Sequence, residues 1–132
     1  MILDVYKITI NTTTPRLHHA LFVEAEGTEC GYLIHVLGDV QSGYTYDVYG
    51  GENDTGIKVE QVHGYLGKEL IGYTEEGRLT EFMDACESVA PPGVQMNAQG
   101  VKIEKGRPWY RDGEWLGDAI RKLVSEGLLT ML

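Results

Sequence analysis

Three side chains of this sequence could handle protons. His18 leads the run HHALFVE, His35 closes the run GYLIH, and Asp112 lies in WYRDGEWLGDAIRKL near the other end of the chain. If the two apolar runs are neighbouring antiparallel strands, histidines at strand ends can face each other with Cβ atoms about 5 Å apart. A neutral imidazole there can take or give a proton near neutral pH, and a second polar group can orient it. Asp112 precedes an amphipathic run and reads as a helix N-cap, a position worth about 1 kcal/mol. Its carboxylate could also be aimed at a histidine on the sheet. A helix N-terminus favours the charged carboxylate, so Asp112 would be a weak base and a poor proton donor but a sound partner for fixing a tautomer. His18, His35 and Asp112 are therefore the candidate catalytic set. The competing reading is plainer: one histidine faces solvent, the other is satisfied in the core, and the aspartate caps its helix.

The elements that must position these groups can be read from periodicity. Residues 2–10, 17–25, 31–37, 44–49, 57–66 and 68–73 read as extended. In YTYDVY, Tyr44, Tyr46 and Val48 fall on one face and Thr45, Asp47 and Tyr49 on the other. EGTEC reads as a turn and GGENDTG as a mobile loop. Gly64 and Gly67 mark bends or bulges. The pattern then turns helical. Thr74 is the expected N-cap, and Leu79, Phe82, Met83, Cys86 and Val89 recur at helical spacing. Pro91, Pro92 and Gly93 end that helix. A second helix is expected over 113–126, with Trp115, Leu116, Ala119, Ile120, Leu123 and Val124 as its apolar stripe and Gly127 as its stop. The expected fold class is α+β: an antiparallel sheet of about five strands packed with two helices.

Size and charge narrow the function classes. At 132 residues the chain reads as a single domain, 1–132, able to bury roughly two-thirds of its unfolded surface. The net charge of -9 and the lack of a basic stripe argue against nucleic acid and against anionic membrane surfaces. No run is long enough to span a membrane, and MILDVYKITI is a poor signal peptide, so a cytoplasmic location is expected. Cys30 and Cys86 make no disulfide framework. With four histidines they form no standard zinc spacing, and neither a metal nor a cofactor is expected. Cys86 falls on an apolar helix stripe and should be inert. Cys30 is expected in an exposed turn, its pKa raised by Glu26 and Glu29. Trp109 and Tyr110, beside a helix start, are candidate binding residues.

The order of these parts resembles a known group. HALFV led by a histidine, then GYLIH, then DGEWL at a helix start is similar to the circularly permuted papain-like hydrolases, which include lecithin:retinol acyltransferase. Their order is H-W-x-I-Y-V, then G-x-x-x-H, then N-C-E-H-F-V opening a helix. The chain is more closely similar to small uncharacterised fungal proteins carrying HHALFVE, YxxHVxGD, VPPP and C-x-E-W; SVAPPGVQ and EWLGDAI match here. The resemblance implies a permuted papain-like fold, His18 as base and His35 as the orienting histidine. It places His19 on the other side of the strand, as a binding candidate. The cysteine's place falls on Asp112 or on Gly113, depending on the alignment, and neither is a thiol.

Three functions fit. The first is a degenerate member, a pseudoenzyme that binds a small molecule or a protein partner without cysteine-hydrolase chemistry. The second is an enzyme with repurposed His/Asp acid–base chemistry, an isomerase, cyclase or hydrolase of fungal metabolism. The third is a purely structural or regulatory partner protein. The ligand and the oligomeric state are left open.

Overall fold

The computed structural model describes residues 1–25, 30–50 and 56–132. Residues 26–29 of the expected turn, with Glu26 and Glu29, and 51–55 of the expected loop lie outside the described residues. The fold is α+β. Its strands are β1 (Ile2–Ile10), β2 (His18–Glu24), β3 (Cys30–Asp39), β4 (Gly43–Tyr49), β5 (Ile57–Lys58), β6 (Tyr65–Glu75) and β7 (Thr130–Met131). The helices are α1 (Leu79–Ser88) and α2 (Asp112–Ser125). The sheet runs β4-β3-β2-β1-β6-β7, with β5 on β3, and all its pairings are antiparallel. The five long strands match expected ones, with 68–73 falling inside β6, but the strand expected over 57–66 is corrected: only Ile57–Lys58 pair, a 3₁₀ turn takes Val59–Gln61, and Gly64 at φ 84° turns the chain into β6, which starts at Tyr65. The two-residue β7 had no periodic signal to find.

Side-chain alternation divides the core in two. On one face, Leu3, Val5, Leu21, Val23, Ile34 and Val36 pack with Phe82 and Cys86 of α1 and Trp115, Leu116, Ala119 and Leu123 of α2. On the other, Ile8, Ile10, Ala20, Phe22 and Leu33 gather under Val59. β2 and the middle of β3 are covered on both faces, which is why they read as unbroken apolar runs. Tyr44, Tyr46 and Val48 turn to the helix face, as their alternation predicts. The Trp115 indole N–H donates to the Val89 carbonyl at 2.9 Å, so the largest buried side chain also ties α2 to the end of α1.

Expectations about the helices fail at Thr74 and at Val124. Thr74 is no N-cap. It is a buried residue of β6, held opposite Leu3 by the ladder with β1. A 3₁₀ turn at Glu76–Arg78 then precedes α1. Strand pairing against a long partner outweighs the local preference for a cap. Val124 is off the buried stripe and 43% exposed. Gly127 does end α2. At φ 70° it lets the Gly127 N–H reach the Val124 carbonyl at 3.1 Å and the Leu128 N–H reach that of Leu123 at 2.8 Å, a Schellman closure.

Candidate functional site

The site begins where a ladder stops. β2 and β3 pair from Leu21↔Ile34 to Glu24↔Gly31 and no further. His18, His19 and Ala20 stay paired with β1, while β3 continues on to pair with β4. The two strands therefore part at the end that carries the histidines. Alternation puts His18 with Ala20 and Phe22, and His35 with Leu33, on the face away from the helices.

The N-terminus of α2 meets this opening. Asp112 is the first residue of the helix and Arg111 precedes it as the cap, with its backbone N–H donating to Glu114 Oε1 at 2.9 Å. The expected role of Asp112 as N-cap is thus corrected. Glu114 serves that end of the helix and leaves the Asp112 carboxylate to reach the sheet. Its Oδ2 accepts the His19 backbone N–H at 2.9 Å, replacing the strand partner which the parted ladder fails to supply. The same oxygen lies 2.8 Å from His18 Nδ1.

Beyond His18 the contacts continue. His18 Nε2 is 2.9 Å from His35 Nδ1, and His35 Nε2 is 3.3 Å from Asp47 Oδ2. The structure thus brings His18, His35 and Asp112 together and adds Asp47, which the sequence reading missed. The missing signal was register: β3 and β4 fold about the turn at Gln41, so that His35 falls opposite Asp47. A carboxylate accepts only, so Nδ1 of His18 carries the hydrogen toward Asp112. Burial alone would raise the pKa of Asp112, but hydrogen bonds from His18 and from the His19 N–H more than offset it and hold the group below its ordinary 3.8. Burial, then the His18 charge, holds His35 below 6.5 despite Asp47.

A cavity of about 370 Å³ opens beside the pair. His18 and Asp112 form part of its wall, with Arg16, Tyr44, Arg111 and the Thr12–Thr14 segment around them. Neither thiol belongs to this site. Cys86 is buried in α1, its pKa pushed by burial up to about 12. Cys30 opens β3 and is half-buried, not in a turn as expected. Among the described residues, no group of three or more histidine, cysteine or acidic side chains is arranged to hold a metal ion, and no helix is long and apolar enough to cross a membrane.

The binding candidates fall elsewhere. His19 lies on the helix face, its Cδ2 3.8 Å from where a Cβ on Gly113 would be. Its Nδ1 is buried with no hydrogen-bond partner among the described residues, and burial and Lys7 lower its pKa. Trp109 is held between cations, with Lys102 Nζ 4.7 Å and the Arg111 guanidinium 4.9 Å from its ring centroid. Tyr110 packs on the main core, and its hydroxyl donates to Asp118. Its backbone is gripped by Gln95: the Tyr110 N–H donates to Gln95 Oε1 at 2.7 Å, and Gln95 Nε2 donates to the Tyr110 carbonyl at 2.6 Å. Trp109 and Tyr110 line a separate open groove. Arg111 joins the two regions, since it also lines the His18 cavity.

No curated protein and no solved structure matches the chain. A family model does match, over residues 5–130, and it spans every element of the site from β2 to α2. The chain belongs to that family, described as a family of unknown function, DUF6540.

Proposed function

We propose that the chain is a small-molecule-binding domain that works without cysteine-hydrolase chemistry, its ligand held in the cavity beside His18 and Asp112. One observation carries this reading: Asp112 and His18, 2.8 Å apart, form part of the wall of a cavity of about 370 Å³, and His35 backs His18 from behind at 2.9 Å. The likeness to permuted papain-like hydrolases, which rests on the order of the motifs, supports it. In that likeness a carboxylate stands at or next to the position of the nucleophile. Asp112 is a feeble nucleophile, because a helix start and two hydrogen bonds stabilise its charge.

A second reading is favoured by one specific feature. Asp112 fixes the His18 tautomer with Nδ1–H turned toward the carboxylate, the arrangement that prepares an imidazole for general acid–base work. On this reading the domain is an enzyme that moves protons or activates water. Both readings predict that small molecules raise the melting temperature of the wild type and that His18→Ala weakens the shift. Only the enzyme reading predicts turnover of such a ligand by the wild type and its loss in His18→Ala. If a broad metabolite screen finds no stabilising compound, the binding proposal fails and a partner protein becomes the working reading.

A further inference from the structure

The contacts do not end at His35, and this has a chemical consequence. The chain Asp112–His18–His35–Asp47 contains three hydrogen-bond contacts, of 2.8, 2.9 and 3.3 Å. Carboxylates at both ends can only accept. Nδ1 of His18 and Nε2 of His35 must each carry a hydrogen to bond them, and the contact between the rings needs a third. Two neutral imidazoles carry two hydrogens between them. The chain is complete only when the pair holds one extra proton; when it holds none, one of the three bonds lapses.

Burial rises and then falls along the same path. Side-chain exposure is 15% at Asp112, 12% at His18, 8% at His35 and 47% at Asp47. One end lies on the cavity wall and the other reaches solvent. We propose that Asp112, His18, His35 and Asp47 form a proton relay between the cavity and solvent, with Asp47 as its outer terminus. This builds on the reading of the cavity as a ligand site.

The transfer balances without any other reactant. The resting pair, with Nδ1–H of His18 turned to Asp112 and Nδ1–H of His35 turned to His18, is set to carry a proton inward. A proton taken by Asp47 from water passes to Nε2 of His35. The Nδ1 hydrogen of His35 passes to Nε2 of His18, and the Nδ1 hydrogen of His18 passes to Asp112, which offers it to a ligand. Between the two carboxylates, three N–H or O–H bonds break and three form. Each ring ends neutral in its other tautomer. The chain is then set for a proton to travel outward from Asp112, so it alternates, as the lending and recovery of one proton in a reaction cycle requires. His35 faces His18 from β2, Asp47 from β4 and Asp112 from α2. His19 stands beside Asp112, and Tyr44, Arg111 and Asp39 surround the cavity side. A second extra proton on the pair is opposed by the burial of His35 and the charge of His18.

The test uses imidazole ¹⁵N resonances of the full chain, followed from about pH 8 to about pH 4, a range that brackets ordinary histidine values. Wild type, Asp47→Asn and Asp47→Glu are compared. In wild type, both rings should shift together as one shared proton binds, and the next proton should bind only at lower pH. Asp47→Asn should weaken binding of the shared proton about tenfold, roughly one pKa unit, and reduce Nε2–H character at His35. Asp47→Glu should restore both. Rings that titrate independently in wild type, or curves that Asp47→Asn leaves unmoved, would overturn the relay. The readout needs no ligand, so a failed ligand screen and an uncoupled pair remain separate results.

Discussion

A carboxylate at a helix start commonly spends itself on that helix. In this chain Glu114 takes over that duty, and the Asp112 carboxylate turns to the sheet. The substitution Asp112→Asn should therefore act on the sheet. It weakens the acceptor for the His19 N–H and the partner of His18, at a cost of about 1–3 kcal/mol in urea unfolding at neutral pH. The pH dependence follows from the directions of the shifts. His35 is held below 6.5 in the folded chain. Its contribution to stability is complete above that value and is lost as pH falls through the lowered one, because the unfolded chain takes up its proton first. Asp112 is held below 3.8, so its contribution is complete above that and lost as pH falls through its own lowered value. Melting temperature should thus fall in two stages on acidification. His35→Asn should shrink the first stage, leave the part due to His19, and spare the second. Thermal unfolding by circular dichroism across the range checks this, and a first stage unchanged in His35→Asn would count against it.

At the scale of elements, the decisive feature is where pairing stops. β2 is fully paired on its β1 side and half-paired on its β3 side. That asymmetry opens the space that two imidazoles and a helix terminus occupy. The five long strands were legible because burial on both faces or on one leaves a plain record in the alternation of apolar residues. The start of α1 was not legible: Thr74 carries a capping side chain, but only the distant partner Leu3 decides that it stays in β6. The end of α2 was legible, since a glycine at positive φ is a local requirement. Gly127→Ala should cost about 1 kcal/mol by straining that closure. Chemical denaturation should show the midpoint moving with an unchanged slope.

For the whole molecule, the site was legible only in part. His18 and His35 could be paired because sequential strands in a meander are neighbours. Asp112 could be brought in by the order of motifs. Asp47 needed the register of a hairpin, and the cation-flanked state of Trp109 needed Lys102 from a stretch without periodicity. That stretch, between the end of α1 and the start of α2, is the long irregular part of the chain. It is pinned at Gln95. The backbone N–H of Gln95 donates to the Val40 carbonyl at 2.6 Å, and its carboxamide grips Tyr110 on both the N–H and the carbonyl. The side chain thus imitates one residue of a neighbouring strand, and by doing so it cuts a long excursion into two. The stretch from Met96 to Trp109 becomes a closed detour whose ends are already joined, itself tied near its start by the Met96 N–H on the Val40 carbonyl and the Met96↔Lys102 bridge, so length is best added at the tip between those two residues. A flexible insert of about six residues at Gly100 should lower stability by well under 1 kcal/mol, since loop entropy grows only with the logarithm of length. The same insert in Gln95→Ala should cost more, because the detour then loses its clasp on Tyr110 and keeps only backbone bonds such as those of Gln95 to Val40 and Ile103. In that sense Gln95 sets where the chain can accept new sequence, and relatives of different length would be expected to differ on its far side.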